Sequence, residues 1–217
     1  MSAYQNYTVF YPWVTPFFPG VPDLIILDAI RNACIEFCDR TDWLFYTPVA
    51  QQVTANENEY DLTLDLPIDT TIARVQSVWV NGITITPKDE EDLRRMYNLD
   101  WRSQTGNPAY FTQYEPETLI LVPIPTLTVA QGLATTLVLR PARTSATVDG
   151  DLFEYWLETV AAGARARLHE IPGQQYENPQ LADKMKAVFD AGIARAIAQR
   201  QRGLVRSTPR IRPPLLV

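Results

Sequence analysis

The side chains that most often carry out chemistry are few in this chain of 217 residues. It has one histidine, His169, and two cysteines, Cys34 and Cys38. His169 and Glu170 lack the second histidine that the helical zinc motif His-Glu-x-x-His requires, and two cysteines supply half of the ligands of a closed zinc site. A cluster of Cys34, Cys38 and His169 is one alternative, but free cysteine is among the residues most often buried in protein cores. We therefore expect buried thiols and no metal site.

Carboxylates are abundant, but their spacing defines no catalytic pair. Asp61, Asp65 and Asp69 recur at steps of four residues, and residues 89–92 are all acidic. Catalysis requires a carboxylate whose surroundings tune its pKa, whereas these patterns are typical of solvated surfaces and, at 89–92, of the first turn of a helix. The sequence also has no Gly-x-Ser-x-Gly motif, phosphate-binding glycine loop or dinucleotide fingerprint. We predict that the protein is not an enzyme and uses no cofactor.

The distribution of charge divides the chain into an acidic body and a basic end. The net charge is −6, and residues 195–217 contain six arginines and no acidic residue, so removing these six charges leaves −12 for the preceding 194 residues. A basic end suggests contact with an acidic surface or with nucleic acid. The sequence has neither a run of about 20 apolar residues, which a membrane span needs, nor the pattern of a signal peptide. We expect a soluble protein made in a cytoplasm.

Periodic apolar patterns predict three helices. Residues 151–171 and 179–203 carry apolar side chains at three- and four-residue steps, which place them on one stripe of a helix. Asn178 is a favourable N-cap, and the Pro172-Gly173 turn allows an antiparallel return. These features predict a helical hairpin. A similar pattern predicts an earlier helix from Asp23 to about Asp39.

The middle of the chain reads as β structure. Its clearest signal is Asn81-Gly82, which lies between alternating apolar residues and suits the two positive φ angles of a type I′ hairpin turn. Shorter β-branched stretches predict strands within 43–53, 59–66, 118–123 and 134–139, and a short helix is expected at 89–97. Before residue 23, aromatic residues alternate with prolines. Because prolines disfavour a helix, we expect an extended arm that lies on its own chain or on a neighbouring one.

Together these elements predict an α+β fold: a helical bundle, made of the N-terminal helix and the C-terminal helical hairpin, with an inserted small antiparallel β region and extended termini. The predicted parts are an extended aromatic and proline-rich arm, 1–22; the helical bundle, 23–42 and 151–203; the inserted β region, 43–150; and an extended C-terminal docking tail, 204–217.

Two functions from different classes follow from composition alone. Exposed aromatic side chains in the β region would make a carbohydrate-binding module, since aromatic rings serve as stacking platforms. Its candidate residues are Trp79, Tyr97, Trp101, Tyr110, Phe111 and Tyr114. Alternatively, the arginines of the C-terminal end would make a nucleic-acid-binding protein.

The order of several motifs points to a third function. Glu36-Phe37-Cys38-Asp39-Arg40-Thr41 ends the first helix and Val78-Trp79-Val80-Asn81-Gly82 forms the hairpin turn. Gly106-Asn107-Pro108-Ala109-Tyr110 and Leu119-Ile120-Leu121-Val122-Pro123-Ile124-Pro125 follow, before the helical pair with its glycines and alanines. Over about residues 21–203, this order resembles the adaptor, or head-to-tail connector, proteins of tailed bacteriophages.

The resemblance implies a structural virion protein at the head–tail junction, assembled in the host cytoplasm. It implies a homo-oligomeric ring, commonly a dodecamer, that connects the phage portal protein to a downstream tail or nozzle protein and leaves a channel for DNA ejection. In such proteins the helices build the ring and the C-terminal segment reaches toward the portal. An acidic body suits this function, because strong affinity for DNA phosphates requires basic groups and an acidic channel lets DNA slide.

Two groups of residues are candidate contact sites. Small side chains on a helix permit the close approach that an interface between copies needs, and arm aromatics would add contact area. The candidates for this oligomer interface are Ala161, Ala164, Leu168, Phe17 and Phe18. At the C-terminus, prolines prevent a continuous helix, and arginines and apolar residues offer contacts to a portal surface. The candidate partner-binding residues are Arg206, Arg210, Ile211, Arg212, Pro213, Pro214, Leu215, Leu216 and Val217.

Overall fold

The computed structural model describes residues 4–203, and its largest element is a curled β-sheet of eight strands. The strands are β1 (Tyr4–Asn6), β2 (Leu44–Tyr46), β3 (Gln51–Val53), β4 (Glu59–Asp61), β5 (Thr70–Val80), β6 (Ile83–Pro87), β7 (Thr105–Gly106), β8 (Tyr110–Thr112), β9 (Thr118–Val122), β10 (Ile124–Pro125), β11 (Val129–Pro141) and β12 (Thr147–Asp149). The helices are α1 (Tyr11–Val14), α2 (Asp23–Thr41), α3 (Glu90–Tyr97), α4 (Gly150–His169) and α5 (Pro179–Arg202). Within residues 4–203, no helix has the length and apolar character of a membrane span.

Two long strands, β5 and β11, form the centre of the sheet. They pair antiparallel along almost their whole lengths, with two irregularities in register. On its other edge β11 carries β2 and β3, and beyond β5 the order continues through β6, β8, β9 and β4. The sheet curls into a half-barrel around an apolar interior that includes Leu62, Val78, Leu121 and Leu137.

The prediction of a helical bundle that carries a small antiparallel β insertion is wrong. The largest element is a curled sheet of eight strands and not a helical bundle, and this sheet includes a parallel pair, β6 with β8. Most of the strands were expected individually, but they join through partners that are distant in sequence, such as β2 with β11. Local patterns do not report such pairings. β11 begins before the predicted strand 134–139 and continues through Gly132, with a register shift between Val129 and Leu133 in its pairing with β3.

The Asn81-Gly82 turn is confirmed. Two residues connect β5 to β6, because Val80 pairs with Ile83. The φ angles are 51° at Asn81 and 79° at Gly82, both positive as a type I′ turn requires. Val80 is buried inside the half-barrel, so the neighbouring Trp79 lies on the opposite face of the strand.

Three long helices pack together, with α4 at the centre. The predicted helical hairpin of α4 and α5 is confirmed, and the Asn178 side chain accepts a hydrogen bond of 3.1 Å from Leu181 N at the start of α5. Small residues on α4 let α5 come close. A Cβ atom built on Gly163 would lie 2.8 Å from Phe189 Cδ2, which is too short for an ordinary contact.

The N-terminal segment, residues 4–18, differs from the predicted extended arm. After β1 it forms two 3₁₀ turns, Tyr7–Phe10 and Thr15–Phe17, with α1 between them. Pro12 and Pro16 stand in the first turns of helical segments, where the missing N–H costs no hydrogen bond. We keep the name arm for residues 4–18. The arm has a fully buried stripe at helical spacing, packed in the same core as α2 and α4: Tyr7, Phe10, Val14 and Phe18.

Arginine–carboxylate contacts join the helices to the sheet. Asp42, just after α2, has a φ of 50°, and its carboxylate accepts a hydrogen bond of 2.6 Å from Arg200 of α5. The same carboxylate lies 2.8 Å from the guanidinium of Arg74 on β5. Asp39 accepts a hydrogen bond of 2.8 Å from Arg140 on β11. The end of α2 is thus bound to α5 and to both central strands.

The closest approach of α5 to α4 can be tested at Gly192. A Cβ atom at this position would lie 2.9 Å from Thr159 Cβ, and it would lie nearer still to the Cγ2 and Oγ1 atoms of the same side chain. We expect Gly192→Ala to lower the free energy of unfolding by about 1–2 kcal/mol, because overpacking outweighs the gain of about 1 kcal/mol in helix propensity. Urea denaturation measures the change.

Thr159→Ala provides the matched background, since it removes the two nearest atoms. The cost of Gly192→Ala should fall by at least half in that background. An equal cost in both backgrounds would show that the Thr159 contact does not limit the approach of the helices.

Candidate functional site

The residues first considered for chemistry have structural surroundings. Cys34 and Cys38 are buried in the helical core, and burial raises the pKa of both thiols. His169 holds the turn between α4 and α5: its Nδ1 lies 2.8 Å from Tyr176 O, and its carbonyl accepts a hydrogen bond from Asn178 N. Among residues 4–203, no group of three or more His, Cys, Asp or Glu side chains is placed to hold a metal ion.

The regularly spaced carboxylates each fix a loop. Asp61 Oδ1 accepts hydrogen bonds from the backbone N–H and hydroxyl of Thr63, and Asp65 Oδ2 accepts one from the Tyr46 hydroxyl. The acidic run at 89–92 begins α3, where Asp89 caps the helix through Asp92 N at 2.7 Å. These bonds account for the carboxylates through local structure.

The aromatic residues of the β region do not form one exposed platform. Trp101 and Phe111 are buried, and the Tyr97 and Tyr110 rings pack edge to face with centroids 6.4 Å apart. Tyr114 is exposed beside Arg102. A sugar ring needs at least one open aromatic face in a shared groove, and this arrangement offers little support for the carbohydrate-binding alternative.

Most of the candidate oligomer-interface residues lie inside the chain. Ala161, Ala164, Leu168 and Phe18 are buried in the core shared by the arm, α2, α4 and α5. Their small or apolar side chains pack against other residues of the same chain. Phe17 differs, because its side chain is 56% exposed. The sequence pattern did not distinguish residues that pack within the chain from residues that stay exposed, since it does not reveal that the arm packs on α4.

The candidate partner-binding residues, from Arg206 to Val217, lie outside residues 4–203. The chain enters that segment at Gly203, directly after α5. Gly203 lines a shallow surface pocket with Trp43 and Phe45 of the neighbouring edge of the sheet. The guanidinium of Arg200 covers the Phe45 ring at 4.5 Å from its centroid. The C-terminal segment therefore begins where the helices meet the sheet.

Exposed apolar side chains gather on the outer side of the arm and the beginning of α2. We call this surface the arm patch, and its members are Trp13, Phe17, Leu24 and Ile25, exposed by 46%, 56%, 76% and 39%. Tyr11 joins the two segments, since its hydroxyl donates a hydrogen bond of 3.1 Å to Asp23 O. The Arg165 guanidinium lies 4.8 Å from the Phe17 ring centroid. Patches of exposed apolar side chains commonly mark interaction surfaces.

The arm is fixed in place at its N-terminal end. β1 pairs antiparallel with β12, immediately before α4. The Tyr7 hydroxyl lies 2.7 Å from Ser145 Oγ, and Asp69 Oδ2 accepts hydrogen bonds from Ala146 N, Thr147 N and Thr147 Oγ1 at 2.7–3.0 Å. Hydrogen bonding from Thr147 holds the pKa of Asp69 below its ordinary value.

This pKa shift predicts a pH dependence of stability. The lowered pKa of Asp69 gives a contribution that is present above the ordinary carboxylate pKa of about 3.9 and is lost as pH falls through the lower value of the folded state. We expect Asp69→Asn to unfold at lower urea concentration than the parent at pH 7. The difference should shrink below about pH 4.

Urea midpoints measured between pH 7 and pH 3 test this expectation. Asparagine tolerates the φ of 64° at this position, so the substitution changes charge more than backbone conformation. Asp183→Asn on the exposed side of α5 is the control, whose midpoint should follow the parent at every pH. A difference between Asp69→Asn and the parent that stays constant across this range would contradict the assignment.

Comparison with known proteins identifies the family. A family model described as SU10 adaptor protein matches residues 12–213, which is almost the whole chain. No curated protein matches it. The family is one of phage structural adaptors, which are virion components, contact other head or tail proteins and are not typically enzymes. The match covers the arm from Pro12 and all the long helices and strands. On this basis the chain belongs to the SU10 adaptor protein family.

Proposed function

We propose that this protein forms a closed ring that connects the capsid portal to the tail and leaves a channel through which DNA passes. The observation that carries the proposal is the family match over residues 12–213, because a phage adaptor must contact head and tail components at once. A ring of identical copies, commonly twelve in the form that the resemblance implies, meets this need with a single kind of chain. Each copy then repeats one contact by rotation.

The charge of the chain supports a channel through which DNA slides. Residues 1–194 carry a net charge of −12. DNA binds tightly where lysines and arginines neutralise several phosphates, and it is repelled where acidic groups dominate. Many of the basic side chains of the body are already paired, among them Arg40, Arg74 and Arg140. A lumen lined by such a body would hold DNA weakly.

The C-terminal segment, the helices and the sheet each supply a different contact in this proposal. The C-terminal segment, residues 204–217, is the docking tail for the portal, with the arginines and apolar residues named above as its contact residues. The helices build the ring, and the β-sheet faces outward or toward the downstream tail or nozzle protein. The start of the segment at Gly203, on the surface where helices and sheet meet, supports this assignment.

The mass of the assembled protein tests the ring. We expect native mass spectrometry of the purified protein, or of the complex released from phage particles, to give one closed oligomer of about twelve copies. The sequence-independent binding of duplex DNA should be weak at physiological salt concentration. Copies that remain monomeric in solution and in particles would contradict the ring.

Truncation tests the docking tail. Ending the chain at Gly203 should leave the circular dichroism spectrum and melting temperature of the body close to those of the parent, because both large apolar cores are formed by residues within 4–203. Binding to the portal should fall by at least tenfold. Two further variants separate the contributions: Leu215, Leu216 and Val217 replaced by Ser, and Arg206, Arg210 and Arg212 replaced by Ser.

The outcome of the truncation also separates the alternatives. Portal binding that is undiminished would place the docking surface on the helices. If the truncated protein instead loses a salt-sensitive affinity for DNA, the nucleic-acid-binding alternative is favoured over the adaptor contact.

A further inference from the structure

We propose that Leu204, the first residue of the C-terminal segment, binds in the surface pocket beside Gly203 and thereby anchors the docking tail to the body. We call this pocket the tail pocket, and its lining residues are Trp43, Phe45, Gln199, Arg200 and Gly203. The inference rests on the docking tail of the proposed function and deepens it, because it names the point from which the tail starts.

The tail pocket is a small apolar hollow between the end of α5 and the edge of the sheet. Its volume is about 170 Å³, below the roughly 300–1,000 Å³ of pockets for small-molecule ligands, so it suits a single side chain. Trp43 is held by the Trp156 ring, with centroids 5.0 Å apart, and the Arg200 guanidinium lies over the Phe45 ring. Phe45 is still 46% exposed. Residues 4–203 therefore leave a fixed apolar surface partly open.

The way in which α5 ends directs the next residue toward this pocket. Gly203 has a φ of 67°, and its N–H donates a hydrogen bond of 3.2 Å to Arg200 O. A glycine with positive φ and this bond are features of the Schellman motif, in which the residue after the glycine commonly makes an apolar contact with the residue five positions before it. Here those two residues are Leu204 and Gln199. Gln199 is one of the lining residues of the tail pocket.

Chain connectivity favours Leu204 over any other occupant. Consecutive Cα atoms are about 3.8 Å apart, and Gly203 itself lines the pocket, so Leu204 begins beside it. Contact with two aromatic rings removes apolar surface of the leucine from water. An apolar residue from another molecule would compete with a side chain that is present at high effective concentration. Residues farther along the tail, such as Leu215, would also have to close a loop.

An occupied tail pocket sets the origin of the docking tail. Each residue spans at most about 3.3–3.6 Å, so residues 205–217 reach no more than roughly 45 Å from the pocket. The portal surface that the tail binds must lie within this distance of Phe45. Arg206, the first arginine of the tail, then stands two residues from the anchor, where the seam between helices and sheet limits the directions it reaches.

Thiol labelling tests the occupant of the tail pocket. It is more sensitive than thermal melting, because loss of one surface contact shifts the melting temperature of a chain of this length by only about 2–4 °C. Leu204→Cys and Val205→Cys introduce a thiol at adjacent positions, and the native Cys34 and Cys38 are buried. With a maleimide and the purified full-length protein, we expect Leu204→Cys to react at least tenfold more slowly than Val205→Cys.

Substitutions in the wall of the pocket provide the matched controls. Phe45→Ala should accelerate the labelling of Leu204→Cys at least fivefold and leave that of Val205→Cys unchanged. Phe45→Leu keeps an apolar wall and should restore most of the protection. Ile83→Ala removes another exposed apolar side chain, on β6, and should change neither rate. Circular dichroism spectra like that of the parent establish that each variant folds.

The outcomes separate this inference from the proposed function. Equal labelling at the two positions overturns the inference. Slow labelling at position 204 that Phe45→Ala does not change also overturns it, because another surface, such as a second copy, then covers the residue. Neither result bears on the binding of the tail to the portal, since the labelled protein is free of portal. A protected position 204 together with undiminished portal binding by the truncated chain would contradict the docking tail and leave the occupied pocket in place.

Discussion

The helical part of this protein depends on how little space α4 occupies. Four alanines and Gly163 lie within residues 161–166 of its C-terminal half, where neighbouring elements pack directly on the helix. Such packing gains dispersion contacts and excludes water along three sides of one helix. A larger side chain at one of these positions would displace a whole neighbouring element, because the other two sides leave no room for adjustment.

The position of α2 relative to the sheet follows from a second constraint. The chain leaves α2 through Asp42, whose positive φ turns it sharply into β2. The carboxylates at this point receive arginines from α5, β5 and β11, so the charges hold the turn from three directions. These arginines are partly exposed, and each pair by itself contributes little to stability. Their value lies in fixing the geometry between helices and sheet.

The features that were predicted correctly from the sequence depend on residues that are close together in the chain. The hairpin of α4 and α5 and the Asn81-Gly82 turn depend on caps, periodicity and φ preferences within a few residues. The sheet was not predicted, because its central pair, β5 and β11, joins segments about fifty residues apart and its register depends on that partner. The arm was misinterpreted for another reason: its prolines were weighed more heavily than the helical spacing of Tyr7, Phe10, Val14 and Phe18, although that spacing was visible. The candidate interface residues of α4, Ala161, Ala164 and Leu168, are buried in the core that α4 shares with the arm, α2 and α5.

The pairing of β1 with β12 has a consequence for biosynthesis. The first described residues of the chain find their partners at residues 147–149, and Tyr7 reaches Ser145 across most of the sequence. During translation the N-terminal segment therefore emerges long before β12 and α4, on which it packs, have been synthesised. Contacts of such sequence separation form late and leave apolar surface open in the meantime. The aromatic segment that finally packs on α4 therefore has no partner until the sheet and α4 have been synthesised.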